Sequence, residues 1–545
     1  MLSTMQDEPL SLATLLRYAS TFQSDATVST WTDEGIRSIT FGEVGEQAAR
    51  LANALRGLGV GVGDRVATFM WNNNEHQVAY IGVPAMGAVL HALNIRLFPE
   101  QFVYVANHAE DQVVIVDGTL VPLFAKYLPS LRTVRHVIVA NGDPASLAAP
   151  AGVTVHGWDS LLAGQSAEYD FPVLDERSAA AMCYTSGTTG EPKGVVYSHR
   201  SNWLHAMQVL TTQGMSLSGS DLALAIVPMF HANAWGLPYA ALMAGASLVM
   251  PDRFLQPEPL LAIMASQRPT YAAAVPSIWN GVLAQLERAP QDISHLRSVI
   301  VGGAAAPPSM MRAFEERHRV TVVHAWGMTE TSPLGTVAYP PAGAVGEREW
   351  AYRVTQGRFP ATVQARLTAE DGSVVPNDGK SLGELEVRGP WIAASYYAPD
   401  GAAVDPDKFR DGWLRTGDIG TISPDGFLTL SDRSKDMIKS GGEWISSVDL
   451  ENLVMAHPAV AEAAVIGVPD EKWDERPMVS VVVREGASVT ALELREFLAG
   501  QVARWQLPER WTFLPEVPKT STGKFDKKVL RARYAEGDLD VIRLT

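Results

Sequence analysis

Short runs of unbroken apolar residues recur along this chain between amphipathic stretches, and they restrict the fold more than any other feature. RVATFM, QVVIVDG, VRHVIVANG, LALAIVP, ASLVMP, RPTYAAAVP and LRSVIVGGA read as strands with no polar alternation. A strand that is apolar on both faces must be covered on both, as in parallel sheets layered between helices. The intervening segments supply those helices. Val44, Ala48, Leu51, Leu55 and Leu58 fall at helical spacing, EHQVAYIGVPAMGAVL reads as helical, and SIWNGVLAQLERA is amphipathic. Gly57, Gly59, Gly61 and Gly63 close the first of these helices; with Val62 in the sixth place they do not form a dinucleotide-binding fingerprint.

From about residue 354 the texture changes. TVQARLTAEDGSVVPNDGKSLGELEVRGP carries Asp-Gly turns between alternating strands and predicts a smaller β region. Beyond it a compact set follows: helix 447–457, strand 460–469, strand 478–484, helix 490–505, strand 510–514 and a helix from 526. That is enough chain for an independent α+β domain, with a boundary near Arg433 to Asp436. The expected organisation is therefore an α/β protein with a large N-terminal domain (1–433) of layered α/β subdomains plus a β region, and a small α+β C-terminal domain (434–545).

The chain has 545 residues, more than one hydrophobic core usually serves. Its single cysteine, Cys183, excludes a disulfide framework and a multi-cysteine metal site; lying in the apolar AAAMCY, it reads as a small core residue. Sixty acidic against forty-four basic residues give a formal charge of −16, which repels nucleic acid and anionic lipid. An anionic substrate must be drawn in by local positive charge. The N-terminus lacks the basic n-region of a signal peptide, and the most apolar stretch, 222–251, is interrupted by Pro228, His231, Asn233 and Pro238. The expectation is a cytoplasmic protein without a transmembrane segment.

One stretch points directly to chemistry. YTSGTTGEPKG (184–194) combines Thr185, Ser186, Gly187, Thr188, Thr189, Gly190 and Lys193 in a loop able to wrap phosphate with backbone N–H groups, hydroxyls and one ammonium. It departs from the Walker pattern, because Pro192 rather than glycine precedes the lysine. AWGMTET (325–331), RTGD (415–418), DRSKDMIKSGGEWIS (432–446) and PKTSTGK (518–524) follow it in order.

Together these motifs resemble those of the acyl-CoA synthetases of the adenylate-forming (AMP-binding) superfamily, and VPMFHANAWGLPYAALMAGASLVMP resembles the bacterial medium- and long-chain fatty acyl-CoA synthetase branch. The resemblance implies ATP-dependent activation of a fatty acid to acyl-AMP with release of pyrophosphate, then transfer to CoA. ATP, Mg²⁺ and coenzyme A are the implied small molecules, and a homodimer the implied assembly. Lys193 and the loop would face the departing phosphates; Glu330, with Thr185, would hold Mg²⁺; Thr329 and Lys524 would reach the α-phosphate. Asp418 would accept the ribose hydroxyls with Arg433 beside it, and Trp326 would stack on adenine. Gly303, Ala304, Ala325, Gly327 and Met328 would complete the nucleotide site. His231, Trp235, Gly302 and Gly303 would line the acyl pocket, Trp235 as a cover at its mouth.

In the same resemblance, the C-terminal domain is mobile and turns about Lys435 to bring Lys439, Gly441, Gly442, Glu443 and Trp444 to the CoA tunnel. One segment departs from the family: VTQGRFPATVQARL (354–367) lacks the usual Pro-Gly, which weakens expectations for contacts near Arg358. Three other readings share the motifs: activation of a short substituted acid such as a thioether propionate, transfer to a carrier-protein pantetheine, and a nucleotide-binding regulator without catalysis.

Overall fold

The structure is a computed structural model that describes all residues except Leu2, 186–190, Ser434, Gly442, 521–523 and Thr545. Among the described residues the strands form three sheets. One holds seven strands in the order Thr154–Gly157, His136–Ala140, Val113–Asp117, Arg65–Phe69, Val89–Ala92, Ala179–Tyr184 and Gly194–Ser198, parallel except for the last pair. A second, of fifteen strands, has a parallel half containing Leu222–Leu224, Ser247–Met250, Tyr271–Ala274, Ser298–Val301 and Thr321–Gly327. It continues as antiparallel strands that include Gly383–Arg388, Trp413–Ile422 and Phe427–Arg433.

Helices cover the parallel sheets, as their apolar strands require. Phe41–Gly57 is capped by Thr40, whose hydroxyl and the Glu43 carboxylate bond each other's backbone N–H, and it buries Val44, Ala48, Leu51 and Leu55. Gly59 then takes φ +88°, the left-handed exit that ends the helix. Helix Asn74–Ala85 is buried along its whole length, because it fills the space between the two large sheets and touches water on no side. The third sheet, with helices Ser447–Met455, Ala491–Leu498 and Lys527–Glu536, builds a separate core in the C-terminal domain.

Several element ends differ from the sequence expectation. The helix read through EHQVAYIGVPAMGAVL stops at Ala85; Gly87 turns at φ +94° and Val89–Ala92 becomes a parallel strand. Apolar side chains continue across that turn, so periodicity alone does not mark it. The helix expected over 490–505 ends at Leu498, because Gly500 takes φ +89°; Arg504–Gln506 is a separate 3-10 turn. Of LALAIVP only Leu222–Leu224 is strand, and the strand expected at 478–484 begins earlier, spanning Asp474–Val483. Among the described residues no helix is long and apolar enough to cross a membrane.

Where the two large sheets abut, Asp117 and Asp252 share the Asn73 amide, at 3.1 and 3.3 Å. Burial, and then the neighbouring Asp117, pushes the Asp252 carboxyl up to about 6. The folded carboxyl thus holds its proton to higher pH than an unfolded one near 3.9, so stability falls as pH rises from about 4 to about 6 and stays lowered above that. Asp252→Asn should raise stability at pH 7 to 8 by up to about 3 kcal/mol and add nothing below pH 4. Asparagine also suits the φ of +51° at this position. Denaturant unfolding at both pH values checks it.

Candidate active site

Parts of several sequence motifs meet at the C-terminal ends of the parallel strands of the fifteen-stranded sheet, while Thr185, Lys193 and Glu330 line neither of the cavities found there. Strand Thr321–Gly327 delivers Ala325, Trp326 and Gly327, and the short turn after it delivers Met328, Thr329 and Glu330. Gly302, Gly303 and Ala304 follow strand Ser298–Val301. Two adjoining cavities meet there. The first is mainly apolar, walled by Met215, Ile226, Val227, Leu255 and Ile278, with His231 and Trp235 on its lining. The second is bordered by Ala304, Asp418 and Arg433. Gly303, Ala325, Trp326, Gly327 and Lys524 belong to both.

Lys524 therefore stands at the junction. Burial and then the Arg433 charge push its ammonium down to about 8. It still carries its proton at neutral pH and is poorly solvated, ready to pair with an anion. Asp418 Oδ2 accepts from Trp326 Nε1 at 2.9 Å, while Oδ1 pairs with Arg433 Nε at 3.1 Å. Each oxygen keeps a further lone pair. Glu330 is buried and accepts from the Tyr396 hydroxyl at 2.5 Å. Lys193 lies 5.1 Å from the centre of the Tyr396 ring and pairs with Asp405 at 2.5 Å. Thr185 and Lys193 are joined by two hydrogen bonds: the Thr185 N–H donates to the Lys193 carbonyl (2.9 Å) and its hydroxyl accepts from the Lys193 N–H (3.1 Å). Ser186, Gly187, Thr188, Thr189 and Gly190 lie outside the described residues.

Trp235 reaches the site from an unusual turn. Ala232, Asn233, Ala234, Trp235 and Gly236 have φ of 42°, 57°, 48°, 57° and 77°, five consecutive left-handed residues. Ala232, Ala234 and Trp235 each disfavour this conformation by roughly 1–2 kcal/mol, whereas asparagine tolerates it, so the surroundings must impose it. Asn233 Nδ2 donates to Asn202 Oδ1 at 3.2 Å, and the Tyr80 hydroxyl lies 3.0 Å from Asn233 Oδ1. A Cβ at Gly236 would sit 2.4 Å from His205 Nδ1, so only glycine fits. His205, held neutral by burial with its pKa pushed down to about 3, accepts from the Leu334 N–H at 3.1 Å. The turn lays the indole on the glycine pair: a Cβ at Gly302 would meet Trp235 Cη2 at 3.3 Å, and one at Gly303 would meet Lys524 Cε at 3.9 Å.

Cys183 is fully buried, its thiol pushed up to about 12 by burial, and it donates to Asn233 Oδ1 at 3.7 Å. It packs as a core residue.

Lys439, Gly441, Glu443 and Trp444 are not among the residues that line either cavity. They sit on the C-terminal domain, where Lys439 lies over the Trp444 ring at 4.5 Å and Trp473 covers Gly441 so closely that a Cβ there would meet its ring at 2.6 Å. Gly442 lies outside the described residues. Sequence reading missed Tyr396, Asp405, His205 and Trp473, none of which lies within one of the quoted motifs.

The AMP-binding enzyme family model matches residues 16–397, and that of the AMP-binding enzyme C-terminal domain matches 449–524. The chain belongs to the AMP-binding enzyme family. It is 44% identical to the 3-methylmercaptopropionyl-CoA ligase of Ruegeria pomeroyi over 98% of this chain and 99% of that protein. With the medium-chain-fatty-acid–CoA ligase of Ectopseudomonas oleovorans it shares 41% identity over 98% of both. The crystal structure of the anthranilate CoA ligase AuaEII with anthranoyl-AMP superposes with a TM-score of 0.87 at 26% identity, covering 98% of this chain and 100% of that one. This is the fold of an adenylate-forming enzyme, with a large N-terminal and a small C-terminal domain.

Proposed function

We propose that this chain is an AMP-forming acid–CoA ligase that activates a fatty acid. The observation that carries the proposal is the place of Lys524, among the described residues the one cation that lines both an apolar cavity and a cavity bordered by the Asp418–Arg433 pair. An acyl carboxylate entering from one side and the α-phosphate of a nucleotide from the other meet at its ammonium. Both are anions at pH 7, so the first step needs charge neutralisation and no general base. Thr329 lines the apolar cavity beside Lys524 and would donate to the α-phosphate; Lys193 would meet the departing pyrophosphate once it leaves Asp405. Asp418, oriented by the Trp326 N–H, would accept the ribose hydroxyls, and the Trp326 face would take the adenine.

Glu330, with Thr185 nearby in sequence to the phosphate loop, would hold Mg²⁺. A buried carboxylate such as Glu330 suits an ion held by one carboxylate and mainly by substrate oxygens. When bound it would neutralise phosphate charge. For the second step we propose a turn of residues 434–545 about Lys435, bringing Lys439, Gly441, Gly442, Glu443 and Trp444 to the thiol of CoA. The homodimer and the cytoplasmic location belong to the same proposal.

The apolar wall of Met215, Ile226, Val227, Leu255 and Ile278 favours a hydrocarbon chain, since each buried methylene contributes about 0.8 kcal/mol. The 44% identity to the Ruegeria enzyme favours a second reading, a short thioether acid. Release of AMP and pyrophosphate with CoA present, measured for straight-chain acids of rising length and for 3-(methylthio)propionate, separates the two. Turnover that rises with chain length supports the fatty acid; a clear preference for the thioether selects the second reading. ADP as the product would remove both.

A further inference from the structure

The second cavity extends past the nucleotide residues to a buried polar chain that crosses the domain boundary. Asp432, only 5% exposed, is the penultimate residue of strand Phe427–Arg433 in the N-terminal domain. Its Oδ2 accepts the backbone N–H of Ser447 at 2.7 Å and also the Ser447 hydroxyl, while Oδ1 accepts the Arg433 N–H at 2.7 Å. Ser447 opens helix Ser447–Met455 of the C-terminal domain, whose N-cap Ser446 donates its hydroxyl to the Ser431 carbonyl at 2.5 Å. The carboxylate thus faces the positive end of a helix dipole.

The chain continues inward. The Ser447 hydroxyl accepts from Lys527 Nζ at 2.5 Å, and the same ammonium pairs with Glu451 at 2.8 Å. Lys527 lies three residues beyond Lys524 and starts helix Lys527–Glu536. On the N-terminal side this network holds Asp432 and the Ser431 carbonyl; Ser446, Ser447, Glu451 and Lys527 belong to the C-terminal domain. Among the described residues the ion pairs that cross the boundary, Arg288–Glu485 and Lys439–Glu370, are solvent-exposed and hold little. Asp432 also adjoins Arg433, whose guanidinium holds Asp418. The carboxylate proposed for ribose and the loop that carries Lys524 are therefore linked through Asp432.

We propose that Asp432 is a positioning residue: it latches the C-terminal domain, through Ser447 and Lys527, in the orientation that delivers Lys524 to the junction of the cavities. The contacts lie on opposite sides of Lys435, so any rotation there separates them. The latch acts on adenylate formation and is absent from thioester formation. It rests on the adenylation role proposed above for Lys524.

The test measures the two half-reactions separately, acyl-adenylate formation from acid and ATP, and thioester formation from supplied acyl-AMP and CoA. Asp432→Asn should slow the first about tenfold and leave the second unchanged or faster, which a merely structural role would not do. Ser447→Ala, a smaller change that keeps the helix N–H bond, should act in the same direction by about threefold. Equal loss in both halves for the two variants, or no loss of adenylation, overturns the latch. Lys524→Ala run alongside separates the causes. If it loses adenylation selectively while Asp432→Asn does not, the latch alone fails; if it is not selective, the reading of Lys524 fails and the latch falls with it.

Discussion

Lys524→Ala should slow acyl-adenylate formation by roughly 10²–10³-fold, the effect of removing one donor aimed at transition-state charge, while CoA attack on supplied acyl-AMP stays near wild type. The pH dependence should follow from the same ammonium. Its pKa is pushed down to about 8 by burial, so the charged form, and adenylation with it, should be lost as pH rises through that value. The alanine variant should show no such fall. Pyrophosphate release measured from pH 6 to 9 in both proteins tests the assignment, and equal loss in both half-reactions would remove it.

Trp235→Ala should change the order of substrate binding. The indole lies on Gly302 and Gly303 and lines the apolar cavity that Lys524 also lines; as a cover there it would keep water from an acyl adenylate. Without it, acid should bind in the absence of nucleotide, and more adenylate should be lost to hydrolysis. A tryptophan that only filled space would instead cost ~3–5 kcal/mol of stability and leave the order unchanged. Acid binding with and without a non-hydrolysable ATP analogue, together with thermal unfolding, distinguishes them; acid binding that still requires nucleotide in the variant would rule out the cover.

The layered α/β architecture was legible because a strand buried on both faces has to be apolar throughout, and Val113–Asp117 or Ser298–Val301 could be little else. Boundaries were less so. Val89–Ala92 continues the apolar texture of the helix before it, and Val502 keeps the helical spacing of Leu494 and Leu498 although Gly500 has already turned the chain. At the site, the motif residues Asp418, Trp326 and Lys524 could be named because they lie in short, ordered strings. Their partners could not: Tyr396 reaches Glu330 across sixty-six residues, and Asp405 reaches Lys193 across two hundred and twelve. Asp432 lies inside a quoted motif, yet only the tertiary contact with Ser447 gives it a task. Nor does any local signal announce the turn at Ala232 to Gly236, where Ala232, Ala234 and Trp235 adopt a conformation their own preferences oppose.

That turn has a consequence for anyone improving the protein's robustness. Ala232, Ala234 and Trp235 are held left-handed there, each against a preference of roughly 1–2 kcal/mol, so it is a local reserve from which thermostability can be drawn. Glycine ordinarily weakens a fold, but at Ala232 or Ala234 it would relieve that strain and raise the melting temperature. The same freedom would loosen the platform on which Trp235 stands. Selection for heat resistance alone would therefore gather glycines at this turn, and the survivors would be sturdier proteins that hold that indole less firmly.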